Sequence, residues 1–371
     1  MPSAERLKEA GRQLVICNAC RYCEGFCAVF PAMERRRSFA PADLTYLANL
    51  CFDCRACFYA CQYAPPHEFA VNVPKIFAEL RTETYREYGW PRLLSGLYRR
   101  GLAGALVPSA VCVAIVLFLV LLLRGPGVLL EVDAREGAFY RVIPFEAMVA
   151  PALLLAVYGL AVFLIGTVRF WRDTGGRIGD LLDARAFARA ARDTLSLRYL
   201  GGGGDGCNYP DAAFSSERRW LHHLVFYGFL LDFASTTVAA VYDHFLDWRA
   251  PYPFVSWPVA LGTIGGLMIV AGTLGLLYLK RRSDAVPAEP RMVSMDVAFL
   301  MALFLTSVTG LLLLVLRETP AMGILLAVHL GVVAALFVTL PYGKFAHVFY
   351  RYAALIRNAL EERAEQTSAH H

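Results

Sequence analysis

The distribution of apolar residues divides the chain into two unequal parts. The first hundred residues mix short apolar groups with charged ones, whereas long apolar stretches dominate from Leu102 onward. A helix of about 20 apolar residues is long enough to cross a bilayer. Such stretches occur at 104–123, 145–168, 222–243, 258–279, 295–316 and 321–341. The pattern therefore predicts a domain at residues 1–90, followed by a six-span transmembrane domain at residues 91–371.

Within the first part, the apolar spacing is helical. Residues 41–50 and 73–88 place apolar side chains every three or four positions, without the alternation of a strand. A third stretch at 178–200, between the second and third spans, has an amphipathic helical pattern. The sequence thus predicts an all-α protein whose N-terminal domain is helical.

Composition and charge agree with a membrane protein and set its orientation. Hydrophobic residues make up 57% of the 371 residues, charged residues 18%, and the mean hydropathy is +0.46. Arg and Lys concentrate in a connection at 169–220 and in the next connection on that side, at 280–291. Positive-inside bias places both in the cytoplasm with both termini. The same bias accounts for the net charge of +5, so nucleic-acid binding is not needed to explain the excess of basic residues. The first hundred residues contain no secretory signal pattern, so we expect a multi-pass protein of the bacterial inner membrane.

Eight of the ten cysteines form two runs with identical CxxCxxCxxxC spacing. In such runs three thiolates hold one 4Fe–4S cluster and the fourth serves the other cluster. The sequence therefore predicts one cluster on Cys17, Cys20, Cys23 and Cys61, and a second on Cys51, Cys54, Cys57 and Cys27. Ala28 and Gln62 follow the runs where bacterial ferredoxins usually have Pro, which leaves the crossed assignment open. Zinc is the alternative, but zinc sites use paired CxxC knuckles.

The other two cysteines and a glycine run have simpler interpretations. Cys112 lies within an apolar span and Cys207 follows a glycine-rich loop, so both are expected to be ordinary thiols. The run GGGGDG at 201–206 lacks the GK[ST] of a phosphate loop. It is interpreted as a surface linker, with a docking loop for the cluster domain or a redox partner as the alternative.

Five of the eight histidines lie in or at the ends of the third and sixth spans: His222, His223, His244, His329 and His347. Because the third span runs outward and the sixth inward, the first two share the cytoplasmic face with His347, and His244 shares the opposite face with His329. Two such pairs suit six-coordinate b-type haem, for which imidazole is a strong axial ligand. The sixth-span histidines are five turns apart and share a face unless Pro341 kinks the helix. The alternative is a set of interfacial histidines that anchor helix ends.

The whole chain resembles the tricarballylate-utilisation protein B family, also known as citrate-utilisation protein B. The resemblance rests on the two cysteine runs and on RRWLHHLVFYGFLLDF at 218–233, VYDHF at 241–245 and VHLGVVAALFVTLPYGKFAHVFYR at 328–351. The last five spans also resemble nitrate reductase gamma-type cytochrome b and heterodisulfide-reductase subunits. That likeness makes His223 a better haem ligand than His222. With the antiparallel arrangement of the third and sixth spans, the expected pairs are then His223 with His347 and His244 with His329.

The resemblance implies a redox partner. It would be a soluble FAD-dependent tricarballylate dehydrogenase that hands electrons to this chain, which itself has no GxGxxG motif after a strand. The leading hypothesis is a relay from the partner's flavin through two 4Fe–4S clusters and two b haems to quinone. The alternatives are a heterodisulfide-reductase-like catalytic subunit and a membrane anchor without redox-active haem, so whether the chain is itself an enzyme stays open.

Overall fold

The elements along the chain are almost all helices. A computed structural model describes residues 3–91 and 100–369. Its α-helices are α1 (Ala4–Cys20), α2 (Val29–Glu34), α3 (Pro41–Leu50), α4 (Ala56–Tyr59), α5 (Val73–Tyr88), α6 (Ala103–Arg124), α7 (Ala138–Val142), α8 (Phe145–Asp173), α9 (Ala184–Leu195), α10 (Glu217–Phe245), α11 (Trp257–Arg282), α12 (Pro290–Leu316), α13 (Met322–Thr339) and α14 (His347–Ala369). Two short strands, β1 (Cys207–Asn208) and β2 (Phe214–Ser215), pair antiparallel. The predicted helical fold class is confirmed.

The N-terminal domain is built from α1 to α5. Cys17 and Cys20 lie at the end of α1 and Cys57 lies in α4, whereas the other five cysteines of the two runs lie in the turns between helices. The Ser3 side chain caps α1 by accepting the Arg6 N–H, and the Asn72 side chain caps α5 by accepting the Lys75 N–H. The helices predicted at 41–50 and 73–88 form with those bounds. Their apolar faces pack into the domain core, which fixes the cysteine turns against a rigid support. The predicted boundary after residue 90 adjoins residues 92–99, which lie outside the described residues.

Within residues 3–91 and 100–369, six helices are long and apolar enough to cross a membrane. They are α6, α8, α10, α11, α12 and the segment Met322–Tyr342, and each overlaps a span expected from the sequence. Helix α10 packs mainly along α11, α11 along α12, and α13 along α6 and α12. The helices compatible with a multi-pass membrane protein therefore form one bundle.

The sixth span does not continue as one helix to His347. Helix α13 ends at Thr339, two short 3-10 turns follow at Leu340–Tyr342 and Lys344–Ala346, and α14 begins at His347. Pro341 has no N–H to donate to the preceding turn, so it ends the α-helical pattern. The condition for a shared face, a helix without a kink at Pro341, is therefore not met, because His329 and His347 belong to separate helices.

The connection between the second and third spans is more broken than expected. The amphipathic helix predicted at 178–200 shortens to α9, flanked by 3-10 turns at Ile178–Leu182 and Arg198–Gly204. Asp183 starts α9, because its carboxylate accepts the Ala186 N–H at 2.8 Å. Helix α9 then packs against α14.

Helix α14, which the sequence analysis did not predict, fastens the N-terminal domain to the bundle. Glu361 on α14 accepts hydrogen bonds from Arg36 at 2.6 Å and from Arg357 on its own helix at 2.9 Å. On another side of α14, Arg363 pairs with Asp183 at 2.7 Å. The cluster domain is thus held at the end of the bundle where α10 begins and α13 ends.

Candidate functional site

The first predicted set of thiols surrounds a cavity. A space of about 240 Å³ is lined by Cys17, Cys20, Cys23 and Cys61, and also by Cys57 of the second set. Electrostatic interactions link Cys17 to the other three thiols of the set. Apolar side chains complete the wall: Ile16, Phe30, Val71 and Val73. Residues from both runs therefore converge as the crossed assignment expects, although the ligand set itself stays a prediction.

The second set converges in the same way. Cys27 interacts electrostatically with Cys51 and Cys54, and Cys57 interacts with all three. The Asp53 backbone N–H approaches the Cys51 sulfur at 3.4 Å, the kind of contact that stabilises a thiolate.

The two runs share an unusual backbone feature. Arg21 follows Cys20 and Arg55 follows Cys54, and both arginines are in the left-handed region, with φ of 57° and 65°. Since non-glycine residues seldom adopt this conformation, its recurrence at equivalent positions indicates that the runs coil alike. The structure thus supports a pseudo-twofold pair of cysteine loops.

The environment of these thiols suits bound iron. Burial, with the neighbouring Cys61 thiol as a further cause, raises the pKa of both Cys17 and Cys23 to about 12. Such thiols stay protonated unless a cation stabilises the thiolate, which a coordinated metal does outright. No group of three or more His, Cys, Asp or Glu within residues 3–91 and 100–369 is placed to hold a single metal ion. The donor chemistry fits a sulfur-bridged cluster of several irons.

The glycine run and Cys207 pack onto the cluster domain. A Cβ on Gly203, whose φ is +85°, would lie 3.1 Å from the Gly25 carbonyl oxygen inside the first cysteine run. The Asn208 N–H donates to the Cys54 carbonyl at 3.1 Å. Cys207 itself is fully buried, and its thiol donates to the Leu200 carbonyl at 3.2 Å and interacts electrostatically with the Cys54 thiol. These contacts favour a docking loop for the cluster domain over a surface linker.

At the same end of the bundle, two histidine rings face each other. The His222 and His347 ring centroids are 6.2 Å apart, with the planes at 82°. A metal-bound imidazole has its ring centre about 3 Å from the metal, so the separation of these centroids is close to that of two imidazoles on one metal. His347 Nδ1 donates to the Lys344 carbonyl, which leaves Nε2 free to bind a metal. His223 instead packs beside Trp220 and Tyr227.

The other predicted pair is not joined in this way. His244 is exposed at the end of α10, where its Nδ1 donates to the Ala240 carbonyl at 2.9 Å. His329 lies within the bundle, with Nδ1 3.0 Å from the Thr309 hydroxyl. Ring contacts within the described part of the chain do not include one between His244 and His329, so their pairing stays a prediction.

Sequence reasoning missed two arginines that connect the cysteines to the histidines. Arg218 precedes His222 by one helical turn, and Arg351 follows His347 by one turn. Arg351 donates to the Cys51 carbonyl at 2.8 Å, and Arg218 donates to the carbonyl of Asp53. The sequence did contain a signal for these arginines, since each is a charged residue one helical turn from a candidate ligand and next to an apolar span.

The fold and site define a class: a membrane-helix protein whose N-terminal domain carries two ferredoxin-type cysteine runs. The family model for citrate utilization protein B matches residues 96–368, and the model for its Fer4-like domain matches residues 10–87. Citrate utilization protein B of Escherichia coli is 48% identical over 359 residues, which cover 96% of this chain and 92% of that protein.

The chain therefore belongs to the citrate utilization protein B family, as the sequence resemblance indicated. No solved structure matches it. The family and its Fer4-like domain indicate an iron–sulfur electron-transfer role.

Proposed function

We propose that this chain carries electrons from the reduced flavin of a separate dehydrogenase to quinone in the membrane. The observation that carries this proposal is that the second cysteine loop, two arginines and a pair of facing histidines lie together at one end of the bundle. The second cysteine loop, residues 51–54, is bound by Arg218 and Arg351, and those arginines share helices with the facing pair His222 and His347. Candidate iron ligands in the cluster domain thus lie directly beside candidate haem ligands.

When bound, the clusters and haem would supply one-electron steps between two-electron partners. Oxidation of the substrate delivers two electrons and two protons to the flavin, and quinone takes up two of each to become quinol. The residues of this chain hold the groups in order. The two thiol sets would hold 4Fe–4S clusters, and the imidazoles of His222 and His347 would hold a b-type haem.

The choice of His222 differs from the expectation that His223 is the ligand. It rests on the ring that faces His347 and on the contacts of His223 with Trp220 and Tyr227. A second haem on His244 and His329 remains part of the proposal, supported by the depth of His329 in the bundle. The Thr309 hydroxyl at 3.0 Å would orient its imidazole, as hydrogen-bonding partners of metal-bound histidines do.

The proposed location is the bacterial inner membrane, with both termini in the cytoplasm. The side of the bundle that carries the cluster domain also carries the basic connections at 169–220 and 280–291. The positive-inside rule assigns that side to the cytoplasm. A soluble flavoprotein would meet the clusters there. We propose an FAD-dependent tricarballylate dehydrogenase as that partner.

The test is to purify the full chain and measure iron, acid-labile sulfide and haem separately. Two clusters and two haems predict about eight cluster irons and two haem irons per chain. Dithionite should produce b-type haem bands and a 4Fe–4S paramagnetic signal. A chain with cluster iron but no haem would refute the haem relay and favour a membrane anchor. A chain without cluster iron would refute the electron-carrier function.

A further inference from the structure

The backbone of the second cysteine loop is bound by arginines. Three successive carbonyls, of residues 51 to 53, accept hydrogen bonds from guanidinium groups. Arg351 donates to the first at 2.8 Å, and Arg218 donates to the second at 3.5 Å and to the third. Arg81, which is 1% exposed, also approaches the first at 3.4 Å. Positive charge from three helices therefore converges on Cys51, Phe52 and Asp53.

Within the described residues these charges have little compensation from carboxylates, although Arg351 stacks on the Phe52 ring at 4.4 Å and Arg218 on the Tyr209 ring at 4.7 Å. Neither Arg218 nor Arg351 forms an ion pair with a carboxylate there, and Arg81 reaches only Asp53, at 3.9 Å. The Nε atoms of Arg81 and Arg351 are buried without a hydrogen-bond partner. A buried cation without a counter-ion is costly. A cluster held by four thiolates is an anion, and it would supply the missing negative charge.

In the part of the chain that the structure describes, the first cysteine loop has no comparable set of arginines around it. Among the described residues, the arginine that binds a carbonyl within that run is Arg21, which donates to Asn18 at 3.2 Å and is solvent-exposed. Water screens an exposed charge strongly. The cavity wall beside this loop is mostly apolar, with Ile16, Phe30 and Val71 among its residues. The two loops thus coil alike but differ in electrostatic surroundings.

Two effects on the reduction potential oppose each other at the second loop. Cys51 and Cys54 are buried, and burial disfavours the more negative reduced cluster, which lowers the potential. Nearby fixed positive charge favours the reduced cluster and raises the potential. Because several guanidinium groups contact this loop where little water screens their charge, we expect the rise in potential from positive charge to exceed the fall from burial.

We propose that Arg218 and Arg351 are positioning residues that raise the reduction potential of the cluster on Cys27, Cys51, Cys54 and Cys57 above that of the other cluster. The inference deepens the proposed function and rests on it, since it requires both clusters. An electron that enters at the first cluster would then move to the second, which lies beside His222 and His347, because the second has the higher reduction potential.

The test is a redox titration of the purified full chain, followed by paramagnetic resonance. Cys20→Ser, which removes a ligand of the first cluster, identifies the signal of the second. Arg218→Gln and Arg351→Gln should each lower the midpoint of the second cluster, by about tenfold in equilibrium constant or about 59 mV, and leave the first unchanged. Arg21→Gln is the matched control and should shift neither. Unshifted midpoints, or equal shifts of both clusters, would overturn the proposal.

Conservative variants keep the proposal testable if the glutamine variants lose the second cluster. Arg351→Lys and Arg218→Lys retain the charge, so the second cluster should load and keep a midpoint above the first. A lysine variant with a loaded second cluster at or below the midpoint of the first would contradict the role of charge. Absence of both 4Fe–4S signals from the unmodified chain is a different result, which would refute the proposed function itself.

Discussion

The adjacent histidines at the start of α10 offer a sharp test, because one faces His347 and the other does not. We predict that His222→Ala removes the haem at the cluster-domain end of the bundle, whereas His223→Ala retains it. Half of the 6.2 Å between the His222 and His347 ring centroids is close to the distance of about 3 Å from an imidazole centre to a bound metal. No helix movement is needed for this pair.

His223 would need a large movement to replace its neighbour. Successive residues of an α-helix point about 100° apart. The His223 ring also packs at 5.8 Å from both the Trp220 and Tyr227 rings, contacts that a rotation would break. We therefore expect His222→Ala to lose about one haem per chain and His223→Ala to lose almost none.

The assay is the haem content of each purified variant by pyridine haemochrome, with cluster iron measured in the same sample. His347→Ala should match His222→Ala, since both remove a ligand of the same iron, and cluster iron should be unchanged in all three. If His223→Ala loses the haem and His222→Ala keeps it, the facing pair is not the ligand pair. If all three variants keep full haem content, no haem is bound at His347.

Two further predictions concern how the cluster domain is held. Gly203→Ala should weaken docking of the glycine run against residues 24–27 more than Gly204→Ala. Both glycines have positive φ, so Ala strains the loop backbone at either position, but of the two only Gly203 would place its Cβ against a neighbour, 3.1 Å from the Gly25 carbonyl, adding about 1–3 kcal/mol of overpacking at that contact. Hydrogen exchange at residues 24–27 measures this, and equal effects would contradict it. The hydrogen bond from Arg363 lowers the pKa of Asp183 to about 2, so their pairing stabilises the fold above the unfolded pKa of about 3.9 and is lost as pH falls toward 2. Thermal unfolding of Asp183→Asn should therefore differ from wild type at pH 5 and converge with it near about pH 2; a constant difference would contradict this.

Some features follow from the sequence because local patterns determine them. Two identical cysteine spacings predicted the Fer4-like domain, since spacing along a coiled loop decides which thiols can share a cluster. The six spans follow from runs of apolar residues, because a helix must satisfy its own backbone in lipid. The helices at 41–50 and 73–88 follow from periodicity with local caps.

The rest depended on contacts between residues far apart in the chain. Whether His222 or His223 faces His347 could not be decided from α10 alone, because it depends on the break after Thr339, which resets the direction of α14. Nor does local sequence reveal that Arg218 and Arg351 bind carbonyls in the Cys51 loop, 165 and 300 residues away at the closest pairs. Periodicity reports which face of a helix is apolar, whereas the partner of a polar side chain is fixed only when the helices pack. The candidate ligands could therefore be identified from the sequence, whereas their electrostatic surroundings were decided by the tertiary structure.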